Sequence, residues 1–183
     1  MKPDGDVMSR RSIILSSETF VESYLQVIVR SFESVLVKQT DGGYKSFLHF
    51  FLEEGRRFEI AQLPEPFQLG YAKQCFLNSR ELVIRNRERF VYIEGFAGRH
   101  LPVHHAWIYD LELGVCYDPT WENCLDQDYF GVMFDTNFLL SYKQRFPVNI
   151  SNATLTEDYG NRFPVLSGRV PREEWIYRGE PCR

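Results

Sequence analysis

The spacing of apolar residues changes from helical to alternating near residue 90, and that change limits the fold more than any other feature. Upstream, apolar residues recur at helical intervals. Phe20, Tyr24, Val27, Ile28 and Val35 predict a helix that opens near Thr19, where Thr19 and Glu22 have capping-box spacing, and runs to about Lys38. Thr40-Asp41-Gly42-Gly43 breaks it. Tyr44, Phe47, Leu48, Phe51 and Leu52 then trace the apolar stripe of a second helix, with Gly55 as its stop. A loop over 61–72 carries Pro64, Pro66 and Gly70, and a less regular third helix follows from Cys75 to about Arg87. Downstream the pattern alternates. Phe90–Phe96, His105–Leu111 and Val115–Tyr117 read as strands, the last two forming a hairpin that turns near Gly114. Pro119 ends the third strand because it has no N–H for a central ladder. Helices followed by a hairpin sheet predict an α+β fold, with N-terminal helices packed on a small antiparallel sheet. Phe138–Tyr142 has helical spacing, and 147–183, with four prolines, is expected to meander.

At 183 residues the chain is expected to form one domain, with residues 1–10 a mobile tail. Against 21 Lys and Arg stand 25 Asp and Glu, a net charge of -4, which gives no specific nucleic-acid signal. No apolar run reaches the ~20 residues of a membrane span, and Met1-Lys2-Pro3-Asp4-Gly5-Asp6 has no signal-peptide pattern, so a cytoplasmic location is expected. A reducing compartment would keep Cys75, Cys116, Cys124 and Cys182 as thiols and leave the sequons at Asn149 and Asn152 unused.

Three segments carry chemistry: Gln74-Cys75, His105-Ala106-Trp107 and Asp118-Pro119-Thr120-Trp121. The reactive form of a cysteine is its thiolate, which gains from the positive end of a helix dipole; Cys75 stands where the third helix opens. A nucleophilic sulfur also needs an imidazole to shuttle a proton, and His105 is held on a strand. Successive strand residues face opposite sides, so His104 and His105 cannot both point at Cys75, and His105, immediately before Ala106-Trp107, is the candidate. The hairpin brings Asp118 back beside His105, where it can fix the tautomer.

Gln74 and the backbone N–H of Cys75 are oxyanion candidates. Asn78 and Ser79 share the helical face of Cys75 and either bond in the site or satisfy a packed helix. Glu94, in an apolar strand, lies on the solvent face or is a buried site residue. Cys116 and Cys124 lie eight residues apart, not the short chelating spacing of a zinc knuckle, so with His104 and His105 they make a poor metal site, and no metal or cofactor is expected. Arg80, Arg85, Arg87, Arg89 and Arg99 read as a solvated face or an attractor for an acidic substrate, and no glycine-rich phosphate loop is present.

The order Cys75, His105-Ala106-Trp107, Asp118-Pro119-Thr120-Trp121 resembles the transglutaminase-like branch of the papain-like cysteine enzymes, over roughly residues 70–122. Larger members commonly carry a Trp directly after the cysteine; here it is Phe76. The resemblance implies a papain-like fold, Cys75 as nucleophile, His105 as general base and acid, Asp118 as the orienting carboxylate, and Trp107 and Trp121 as supporting aromatics of the substrate site. It also implies a protein or peptide substrate, attacked at a peptide, isopeptide or Gln side-chain amide through a thioester. The alternative is an inactive protein of the same fold that binds or assembles with a protein partner.

Overall fold

The structure, a computed structural model, describes residues 20–32, 43–146 and 154–179. The expected tail at 1–10, the cap at Thr19, the extension of the first helix to Lys38, both sequons and Cys182 lie outside the described residues. Among those described, the elements are α1 (Phe20–Phe32), α2 (Phe47–Glu54), β1 (Arg56–Phe58), β2 (Ile60–Ala61), α3 (Cys75–Arg85), β3 (Phe90–Ala97), β4 (Val103–Asp110), β5 (Val115–Tyr117), β6 (Tyr129–Phe134), α4 (Thr136–Arg145) and α5 (Arg172–Trp175). The class is α+β.

The sheet is larger than expected and not wholly antiparallel. Six strands run in the order β1-β6-β3-β4-β5-β2, with β2 parallel to β5 and the other pairs antiparallel. β1 and β2 occupy opposite ends of that order, yet only Glu59 separates them in sequence. The sheet therefore has to curl until its two edges meet around that residue. Strand alternation then divides the core. Phe90, Tyr92, Phe96, Ala106, Ile108, Phe130, Val132 and Phe134 pack with the helices, while Val91, Ile93, Trp107, Tyr109, Tyr129 and Met133 form a second cluster on the inner face of the curl. Gly95 and Gly131 face each other across β3 and β6, and a Cβ on either would sit 2.8 or 2.7 Å from the tip of the Trp107 indole. Two glycines thus make room for the largest side chain inside the curl.

The helices cover the outer face. α2 starts where Ser46 accepts the His49 N–H and stops at Gly55, whose N–H bonds Phe51 O. Its Phe50 and Phe51 are fully buried. The stripe of α1 is displaced by one residue from the expected one. Val21, Leu25 and Val29 are buried, whereas Phe20 and Val27 are 42% and 60% exposed. Residues 154–179 follow an irregular path, as expected of that stretch, but they are not peripheral. Leu155, Val165, Val170 and Trp175 join the outer core, and Ile176 bridges to Phe134 at the end of β6.

Candidate active site

Cys75 is the first residue of α3 and is 8% exposed. The first hydrogen bond within the helix runs from Asn78 N–H to Gln74 O, so the N–H groups of Cys75, Phe76 and Leu77 have no acceptor inside the helix and crowd positive dipole around the sulfur. Gln74 is the N-cap, and its side chain makes no cap bond. Lys73 before it takes a left-handed φ of 64°, rare for a residue with a Cβ, and the turn is closed by Gln74 N–H to Tyr71 O. What holds that turn is Asn78. Its amide oxygen accepts the Tyr71 N–H at 3.1 Å, while its nitrogen donates to Tyr71 O at 2.8 Å and to the Thr120 hydroxyl at 3.0 Å. Asn78 is thereby a brace between the loop before the cysteine and the Asp118–Trp121 turn. Both its amide oxygen and its amide nitrogen bond protein partners. Ser79 is buried in the packed helix, its hydroxyl without a partner among the described residues.

His105 lies near the start of β4 on the inner face of the curl and is 2% exposed. Its Nε2 is 2.7 Å from Asp118 Oδ2, and Cys75 lies near enough to the ring to favour its charged form. Asp118 is fully buried, immediately past β5, and four donors converge on it. The N–H groups of Thr120 and Trp121 donate to Oδ1 at 2.8 and 3.2 Å; the ring of His105 and the phenol of Tyr129 donate to Oδ2, both at 2.7 Å. Burial, reinforced by Asp118, pushes the Tyr129 phenol far above its ordinary range, so it stays a donor. Because a carboxylate only accepts, Nε2 carries a proton, and Nδ1 is the nitrogen left to exchange one with the sulfur. Burial by itself would lower the His105 pKa, but Asp118 and Cys75 together outweigh it and raise the ring from 6.5 to about 9.

Aromatic rings enclose the imidazole. Trp121, half-buried, stacks on His105 with ring centres 4.0 Å apart and planes 20° from parallel. Trp107 is fully buried behind it, packed on Tyr129 and Phe58. Trp107 therefore lies inside the curl behind the imidazole, whereas Trp121 forms the more accessible wall. Tyr129 is the functional neighbour that sequence reasoning missed. Its one signal was an apolar stretch with a phenol at the strand start, which names no partner.

Glu94 proves buried, not solvent-facing, and is spent elsewhere. It accepts from Tyr92 OH and Leu155 N–H on one oxygen and from the Thr156 N–H and hydroxyl on the other, pinning residues 154–157 to β3. A carboxylate so saturated acts as a clasp between β3 and the 154–157 segment. His104 points to the outer face with Glu94, as strand alternation requires. Its Nδ1 is 3.0 Å from Glu157, and that hydrogen bond holds the Glu157 carboxyl below its ordinary range. With the two imidazoles on opposite faces, the metal grouping of His104 and His105 with Cys116 and Cys124 does not assemble. Of the arginines, Arg85, Arg87 and Arg89 pair with Glu81, Glu88 and Asp110, respectively.

The chain matches no protein-family model, no curated protein and no solved structure. Among the described residues no helix is long and apolar enough to cross a membrane.

Proposed function

We propose that this protein is a cytoplasmic cysteine-nucleophile enzyme with a papain-like, transglutaminase-like fold, acting on a peptide, isopeptide or Gln side-chain amide of a protein or peptide substrate. The observation that carries the reading is that a helix-start sulfur lies near enough to His105 to favour its charged form, while the ring is bonded to the four-donor carboxylate of Asp118.

The reaction follows from the proton positions. The Cys75 thiolate attacks the carbonyl carbon, forming a C–S bond and an oxyanion, which the Cys75 N–H and the Gln74 amide stabilise. Collapse breaks the C–N bond, and Nδ1–H of His105 protonates the departing amine. Water or an acceptor amine, losing its proton to Nδ1, then attacks the thioester and releases the thiolate. Nε2–H stays on Asp118 throughout, with Tyr129 and the two backbone N–H groups keeping the carboxylate in place.

The test is thiol labelling of the folded protein with iodoacetamide near pH 7, read residue by residue by mass spectrometry. Burial pushes the thiols of Cys116 and Cys124 up, which keeps them unreactive. Cys75 should label at least ~10-fold faster than any other cysteine despite its 8% exposure, and lose that advantage in His105→Ala. Equal labelling of all four would instead favour an inactive binding or assembly protein.

A further inference from the structure

Beside the proposed site lies a cavity of about 380 Å³, between α2 and the 157–167 loop, within the ~300–1,000 Å³ of ligand sites. Tyr44, Phe47, Tyr159, Phe163 and Leu166 give it an apolar lining, and Arg162 stands at its rim. The loop that forms its far wall is built with unusual care. Asp158, 1% exposed, accepts from Tyr142 OH, from Asn161 N–H and from the Asn161 side-chain amide, while its carbonyl accepts the Phe163 N–H. Those bonds hold two successive residues, Arg162 and Phe163, at φ of 56° and 53°. Consecutive left-handed residues with side chains are costly, and such strain concentrates where a binding surface has to be shaped. Arg169 locks the strained pair by donating to the carbonyls of Asn161 and Arg162.

Ring contacts run from the cavity wall to the helix that carries the nucleophile. Phe47, in its wall, meets the His104 ring at 4.9 Å between centres, and His104 meets Phe76, the residue after Cys75, at 4.8 Å. The Phe47 and Phe76 ring centres are therefore at most roughly 10 Å apart, the span of about three residues of extended peptide, and Cys75 is the residue next to Phe76. Its mouth carries two charges. Glu157 is already held by His104, whereas Arg162 is exposed and has no ion-pair partner among the described residues.

From this geometry we infer that the cavity selects the substrate: it takes a bulky apolar side chain about three residues from the amide that Cys75 attacks, with an acidic residue beside it against Arg162. The inference rests on the thiol chemistry proposed above and adds the substrate class to it.

Peptide chloromethyl ketones test it, because Cys75 sulfur displaces chloride and forms a C–S bond whose rate reports peptide binding. Probes with Phe at the third position from the ketone should alkylate Cys75 about 10-fold or more faster than probes with Gly there. Glu at the fourth position should outpace Lys, and Arg162→Glu, an exposed change, should reverse that order. Ser167→Phe, which fills the cavity from its wall, should erase the preference for Phe while leaving iodoacetamide labelling unchanged. Equal rates for Phe and Gly probes, with iodoacetamide still selective for Cys75, would overturn the cavity's role and leave the thiol reading standing. If iodoacetamide itself shows no preference for Cys75, both fall.

Discussion

Asp118→Ala should lower the unfolding free energy by about 3–5 kcal/mol, measured by urea denaturation, because it strands four donors that face one buried carboxylate. Asp118→Asn separates that structural role from the chemical one. Its amide oxygen can keep both backbone N–H groups while its NH₂ faces His105 and Tyr129. The hydroxyl of Tyr129 can rotate and the imidazole can change tautomer, so the fold should persist with a loss well under that of alanine. The tautomer change, however, moves the ring proton to Nδ1 and leaves it no free lone pair to take one from the sulfur. Cys75 labelling should then fall by roughly 100-fold, the scale of a lost proton-transfer partner. Retained labelling in a folded Asp118→Asn protein would show that the carboxylate does not set the histidine.

Glu94 should behave differently under the same isosteric change. Each of its oxygens accepts a backbone N–H, from Leu155 on one side and Thr156 on the other. A backbone donor cannot invert, so glutamine in either orientation sets its NH₂ against an N–H. Glu94→Gln should therefore cost nearly as much as Glu94→Ala, about 3 kcal/mol. Amide hydrogen exchange should show residues 154–157 opening first, since this carboxylate is what fastens them to β3. A fully stable Glu94→Gln protein would contradict the clasp.

The contrast between these carboxylates shows where sequence reasoning reaches and where it stops. Asp118 and His105 were legible because the hairpin brings the ends of two adjacent strands together, a local consequence of alternation and a turn. α2, α3, β3, β4 and β5 were legible for similar reasons: their periods and their stops lie within a dozen residues. β1 and β2 were not, since three and two residues with two arginines carry no period, and they are strands only because the curled sheet offers them edges at β6 and β5. β6 was hidden because both its faces are buried, so its residues do not alternate in polarity. Glu94 was seen as ambiguous and Asn78 as either ligand or packing. Their partners, Leu155, Thr156, Tyr71 and Thr120, are fixed by tertiary contacts that no spacing encodes. The same holds for Trp107, whose burial depends on Gly95 and Gly131 leaving room from two other strands.

The proposed proton exchange between Cys75 and His105 is open to direct measurement by NMR titration of the His105 ring in protein labelled with ¹⁵N-histidine. Asp118 and Cys75 favour the charged ring over the pull of burial, so the imidazolium should persist through neutral pH and lose its proton only near pH 9. Nε2 should stay protonated on both sides of the transition. The midpoint should drop in Cys75→Ala and drop further in Asp118→Asn, which removes the strongest partner of the charged ring. A wild-type midpoint at or below 6.5, unmoved by Cys75→Ala, would mean that sulfur and imidazole do not share a proton.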